Sequence, residues 1–166
     1  MAEKLPRSFY ERDDVVQISR ELIGKRLCSV IEGVKTSGMI VETEAYNGRT
    51  DAACHAYPQV RTKRTETLYG PPGHAYIYLC YGIHHLFNVV TNREGLADAI
   101  LIRAIEPEEG TSYMLERRDK NILKPVISNG PGKLSQALGL TTELDQTDLL
   151  GDTIWIEQGE KGAGIF

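Results

Sequence analysis

Apolar positions recur at helical spacing in one early stretch, Val15, Val16, Ile18, Leu22 and Ile23, with Asp13 before it as a candidate N-cap and Gly24 after it as a stop. Most other apolar residues come in short β-branched runs. Arg26–Ile31 and Val34–Tyr46 are two such runs around Glu32-Gly33, a turn pair that predicts a tight hairpin. Residues 75–81 and 84–91 form a second pair around Gly82-Ile83, where glycine at the first turn position predicts a type II′ turn and puts Tyr81 at the tip. Residues 99–105 read as another strand, Pro107 as the start of a helix running to about Arg118, 133–138 as a short helix behind Asn129-Gly130-Pro131-Gly132, and 153–157 as a last strand. Strands outnumber helices and are mostly sequence neighbours. That order predicts a single α+β domain with an antiparallel sheet rather than a parallel doubly wound one. Residues 47–73 contain Pro58, Pro71 and Pro72 and show little periodicity, which predicts a loop of a length uncommon unless functional.

Composition narrows the class. The chain has 166 residues, 41% hydrophobic and 25% charged, enough for one ordinary core without a metal or disulfide staple. No apolar run reaches the ~18 residues of a membrane helix, and the first ten residues are too polar for a signal peptide. The expected location is therefore intracellular, cytoplasm or nucleoid in a bacterium and nucleus in a eukaryote. Three cysteines without a CxxC fit reduced thiols. The net charge of -4 by itself disfavours a nucleic-acid partner, but it is unevenly spread. Residues 143–166 contribute -5, whereas residues 54–93 sum to +3 and residues 117–133 to +4. An acidic chain can thus carry a basic face.

Candidate chemistry concentrates between residues 40 and 90. Strand alternation over Gly38–Tyr46 predicts Ile40, Glu42, Glu44 and Tyr46 on one face, with the two carboxylates about 7 Å apart. Such a pair suits general acid or base work, and also a glycoside hydrolase, whose carboxyls lie roughly 5 to 9.5 Å apart. A solvated strand face with two ordinary acids is the plainer alternative. Six of the eight tyrosines fall in residues 46–81 and all four histidines in 55–85. Strand tyrosines commonly fill a core, but so many rings beside Arg61, Lys63 and Arg64 also suit a surface that stacks bases and grips phosphates. Cys54-His55 and Cys80 with His84-His85 offer metal ligands without a standard zinc spacing, and the zinc-deaminase signature is absent. Gly130-Pro131-Gly132-Lys133 lacks the flanking residues of a P-loop and reads as a helix entry.

Taken together, the ordered segments Ile40-Val41-Glu42-Thr43-Glu44-Ala45-Tyr46, Ala53-Cys54-His55-Ala56, the run from Pro72 to Gly82, Asn88-Val89-Val90, and Leu101-Ile102-Arg103-Ala104-Ile105-Glu106-Pro107 resemble the alkyladenine (3-methyladenine) DNA glycosylase family. The run from Gly130 to Leu138 and Leu144-Asp145-Gln146-Thr147-Asp148-Leu149 extend the resemblance over nearly the whole chain.

The resemblance implies one domain around a curved antiparallel sheet with flanking helices and a protruding hairpin that enters the DNA minor groove. It implies a monofunctional enzyme, working as a monomer without metal or cofactor. Its partner would be double-stranded DNA containing damaged purines such as 3-methyladenine, 7-methylguanine or hypoxanthine. By residue, Glu44 matches the general base and Arg103 the residue that helps hold the attacking water. Tyr46 would stack on one face of the flipped base, with His55 and Tyr78 on the other and Tyr76 at the pocket floor. Asn88 would crowd the exocyclic amino group of normal guanine, and Tyr81 would wedge into the base stack. Arg61, Lys63, Arg64 and Lys133 are the expected phosphate contacts. The family continues past the strand at 153–157 into further strands that have no counterpart in this sequence. Weakened turnover, or lesion binding without turnover, is accordingly the alternative expectation.

Overall fold

The computed structural model describes residues 3–48, 62–63 and 65–159. Its first elements are the short helix α1 (Arg7–Tyr10), which has no sequence counterpart above, and α2 (Val15–Leu22). The cap of α2 is Asp14, one residue later than expected, whose carboxylate accepts the Gln17 N–H at 3.0 Å. Val15, Ile18, Ser19 and Leu22 form its buried stripe.

Among the described residues six strands then build one sheet: β1 (Arg26–Ile31), β2 (Val34–Tyr46), β3 (Ala75–Cys80), β4 (His84–Thr91), β5 (Asp98–Glu109) and β6 (Ile154–Glu157). Their order is β3-β4-β5-β2-β1-β6, every pair is antiparallel, and the sheet curls into a half-barrel. The β1–β2 hairpin turns at Glu32 and Gly33, both with positive φ, as the sequence predicts. The β3–β4 turn differs from expectation. The two positive-φ residues are Tyr81 and Gly82, and the Ile83 N–H donates to the Cys80 carbonyl, so the turn is of type I′ and sits one residue earlier.

Pro107 does not open a helix. It lies within β5, opposite Gly38, and α3 (Thr111–Arg118) starts four residues later behind Gly110. The reason is positional: β4 pairs only with residues 98–101 of β5, so among the described strands only β2 pairs with β5 at 107, where a missing N–H is tolerated. Helix α4 (Pro131–Leu138) begins two residues earlier than expected, with proline in its first turn.

The helices line one face of the sheet. Ile18 and Leu22 of α2, Met114 of α3, and Leu134, Ala137 and Leu138 of α4 join Ile40, Ile77, Phe87, Val89, Ile100, Ile102 and Ile105 in the main core. Burying each such side chain contributes about 1.5–3 kcal/mol, so this face carries most of the stability. A smaller apolar cluster lies on the opposite face: Tyr76, Val90 and Ala99 from the strands, with Ala97, Leu68 and Tyr69 of the 3₁₀ turn Glu66–Tyr69.

Candidate active site

Two compensating irregularities decide which side chains reach the second face. Ile40 pairs with Ile105 and Glu42 with Ala104, which leaves Val41 as an extra residue on β2; Thr43 then pairs with Ile102, which leaves Arg103 extra on β5. One extra residue turns the alternation over. Ile40 therefore points into the helix-side core, and so do Thr43, which bonds Ser19 of α2, and Ala45. The expectation that Ile40 shares a face with Glu44 and Tyr46 fails for this reason. Glu42, Glu44 and Tyr46 alternate onto the opposite face.

Directly paired residues of antiparallel strands point to the same side. Tyr76 pairs with Asn88, Asn88 with Leu101, and Leu101 with Glu44, so these four form one row across β3, β4, β5 and β2. Three inter-strand spacings set Tyr76 and Glu44 roughly 14 Å apart along the sheet. Val90, Ala99 and Tyr46 make the adjacent row. Between the walls the floor is Asn88 and Leu101, both buried. The amide of Asn88 is tied back, its Nδ2 donating to the carbonyls of Tyr76 at 3.3 Å and Leu86 at 3.4 Å.

Glu44 is held at both oxygens. The Tyr46 hydroxyl donates to Oε1 at 2.6 Å and Arg103 Nη1 donates to Oε2 at 2.9 Å. The carboxylate is half-exposed, with a side-chain accessibility of 42%. A carboxylate has about four acceptor positions. Two are used, so a water can still be bound and deprotonated. Burial pushes the Tyr46 phenol up, the Glu44 bond and charge add to the rise, and the hydroxyl thus stays a donor well beyond neutral pH.

On the β3 wall, the Tyr76 and Tyr78 rings lie 5.3 Å apart with a 30° tilt. Tyr46 and Tyr78 both pack on the small cluster. At the end of this hairpin Tyr81 is 92% exposed at φ 52°. Left-handed backbone costs a residue with a β-carbon about 1 kcal/mol or more, and an exposed ring returns nothing to the fold in exchange. Ile83 beside it is also exposed. Lys133 stands at the same end, because Gly132 packs so closely on His84 that a β-carbon there would lie 2.9 Å from Nδ1. Its Nζ is 3.5 Å from Asn129 Oδ1, a long contact that leaves its charge available. Lys63 is exposed. His55, Arg61 and Arg64 lie outside the described residues.

The structure thus brings Glu44, Arg103, Tyr46, Tyr76, Tyr78 and Asn88 to one face and sets Tyr81 and Lys133 at its hairpin end. Sequence reasoning missed Leu101 and Leu68 as lining residues because apolar residues in a strand or a turn carry no sign of which face they line. Among the described residues no group of three or more His, Cys, Asp or Glu could hold a metal ion. Cys28 and Cys80 are free thiols. Among the described residues no helix is long and apolar enough to cross a membrane.

A family model described as methylpurine-DNA glycosylase matches residues 8–165. A protein of Clostridium acetobutylicum named "Putative 3-methyladenine DNA glycosylase" is 47% identical over 164 residues, covering 95% of this chain and 80% of its own length. Proteins of the same name from Chlamydia felis and Bacillus cytotoxicus are 50% and 46% identical, each over 93% of this chain and over 80% and 78% of their own.

Proposed function

The chain belongs to the methylpurine-DNA glycosylase family and is a hydrolase of N-glycosyl bonds in DNA, and we propose that it flips alkylated or deaminated purines, such as 3-methyladenine, 7-methylguanine and hypoxanthine, into the face between Tyr46 and Tyr78. The observation that carries this reading is the row Tyr76, Asn88, Leu101 and Glu44, with Arg103 and Tyr46 holding the two oxygens of Glu44.

A flipped purine stacks on Tyr46 on one side and on Tyr78 with His55 on the other, while Tyr76 and Asn88 meet its far edge. Stacking on an aromatic ring contributes about 1–3 kcal/mol per base, and an electron-poor alkylated ring stacks well on a phenol. Asn88, its amide tied to two carbonyls, cannot swing aside, so it crowds the exocyclic amino group of an undamaged guanine. Tyr81 fills the gap left in the duplex, offsetting a few kcal/mol of unstacking. Lys63, Arg61, Arg64 and Lys133 meet phosphates.

Glu44 takes a proton from a water that attacks the sugar C1′. The C1′–N bond breaks with its electron pair passing to the base, and a cationic methylated purine leaves neutral. The carboxylate also faces the positive charge that builds on the sugar. Arg103 and Tyr46 keep it in one orientation while its free lone pairs receive the water. Hypoxanthine is neutral and needs a proton from elsewhere, so it should leave more slowly than 7-methylguanine. No metal or cofactor takes part in these steps.

Release of methylated purines from alkylated duplex DNA tests the reading. The wild-type chain should release them, and Glu44→Gln should be slower by about 10²-fold or more. Equal rates would remove Glu44 as the base. Binding to abasic-site DNA without any release by the wild type would replace hydrolysis by lesion binding.

A further inference from the structure

The outer edge of β3 is not left open. Residues 145–147 run along it: the Gln146 N–H donates to the Ala75 carbonyl and the Ala75 N–H to the Thr147 carbonyl, each at 2.8 Å. Two residues further along β3, at Ile77, the backbone partner ends and a side chain takes over. Asp145 Oδ1 accepts the Ile77 N–H at 2.9 Å, as a neighbouring strand's carbonyl would. Its other oxygen accepts the Thr67 hydroxyl at 2.8 Å, and Gln146 Nε2 reaches the same hydroxyl at 3.3 Å. Thr67 belongs to the turn Glu66–Tyr69, whose Leu68 and Tyr69 pack with Tyr76 in the second-face cluster. Ile77 is the residue between Tyr76 and Tyr78. A single carboxylate therefore ties the β3 backbone, at the point from which both tyrosines project, to the turn that backs them.

We propose that Asp145 is a positioning residue for the base-binding wall: by clamping Ile77 and Thr67 it fixes the Tyr76 and Tyr78 rings against Leu68 and Tyr69. It touches neither Glu44 nor Arg103, so it governs how a base is held and not how water is activated. The proposal rests on the base-flipping reading above for its effect on substrate, but the clamp itself does not depend on it.

Two substitutions separate the clamp from general destabilisation. Asp145→Asn keeps both bonds, since the amide oxygen still accepts from Ile77 and the amide nitrogen can donate to the Thr67 oxygen. Asp145→Ala loses both. Two bonds to a charged acceptor are enough to hold a wall in register, so Asp145→Ala should raise the DNA concentration for half-maximal single-turnover release about tenfold. The saturated rate should stay within about threefold of wild type, and Asp145→Asn should stay within about threefold in both. Amide hydrogen exchange of Ile77, read on the free protein, should accelerate in Asp145→Ala and not in Asp145→Asn. The proposal falls if Asp145→Ala leaves half-saturation unchanged, if it lowers the saturated rate instead, or if Asp145→Asn is as defective as Asp145→Ala. If the wild type releases no base, the glycosylase reading fails by itself, and an unchanged Ile77 exchange rate in Asp145→Ala remains the result that overturns the clamp.

Discussion

Tyr46→Phe removes one oxygen atom and leaves the ring, so it separates the two roles that Tyr46 combines. The lost interaction is a 2.6 Å hydrogen bond from a phenol to the Glu44 carboxylate. A bond to a charged group contributes about 1.5–3 kcal/mol when shielded. Glu44 is 42% accessible at its side chain, so water replaces the phenol in part and the net cost to stability should be about 1 kcal/mol or less. The larger consequence is orientational. With Oε1 released, the carboxylate is held by Arg103 alone and can rotate about its terminal bond, so the lone pair aimed at the water is in place for only part of the time. Saturated single-turnover release should fall about tenfold, corresponding to ~1.4 kcal/mol. Half-saturation with lesion DNA should change less than about twofold, because the stacking face is intact. Tyr46→Ala, in contrast, should weaken both. Rapid-quench measurement of base release from a 7-methylguanine duplex, with melting followed by circular dichroism, gives all three quantities. A Tyr46→Phe enzyme with the wild-type rate would refute the idea that the phenol orients the base.

Three further outcomes follow from the same geometry. Burial pushes the Cys28 thiol up to about 12, with Glu157 adding to the rise. Titrating native protein with a thiol reagent at pH 8 should label Cys80 and spare Cys28, and because the folded pKa is raised, stability should hold below about pH 9 and decline as pH climbs toward 12. Glu157 accepts the Trp155 indole at 2.8 Å and Arg26 at 3.1 Å, and although burial works the other way, these partners hold its carboxyl below the ordinary range. Its contribution is present above about pH 4.5 and lost as pH falls through the folded value, so Glu157→Gln should cost about 1–3 kcal/mol at pH 7 and flatten the acid limb of the melting curve. Gly48→Ala should destabilise by about 1–3 kcal/mol in chemical denaturation, because the new β-carbon would lie 2.5 Å from the Ala97 carbonyl oxygen, a backbone atom with little freedom to move.

The two hairpins, the antiparallel order and α2 were legible because each rests on local chemistry. Arg26–Ile31 and Val34–Tyr46 are β-branched runs, Glu32-Gly33 adopts the positive φ a type I′ turn needs, and an aspartate just before Val15 can reach the open N–H groups of the helix, although the one that does is Asp14 and not Asp13. The errors are where a neighbour distant in sequence overrules the local preference. Pro107 opens helices in isolation, but here β2 pairs with it and β4 stops short, so it completes a strand. Tyr81 would avoid left-handed backbone on propensity alone, yet the register of Cys80 with His84 sets the turn one residue earlier than glycine preference suggests.

The candidate site divides the same way. That Glu44, Arg103, Tyr46 and Asn88 are candidates for one site could be read from the order of residues in the chain, since those segments carry the family resemblance. Which face they share could not. The extra residues at Val41 and Arg103 rotate Ile40 away from Glu44 and bring Arg103 to it, and a bulge has no composition of its own. Asp145 was likewise visible only as part of a recognisable segment; its work depends on β3 being an edge strand whose Ile77 N–H bonds no neighbouring strand and is taken by the carboxylate instead. The sequence by itself determined most of the elements, the residue types and the family, because propensity, turn chemistry and motif order are local properties. The tertiary structure alone decided the row across four strands, the hold of Arg103 on Glu44 and the covered edge of β3, because strand pairing joins residues that the chain keeps far apart.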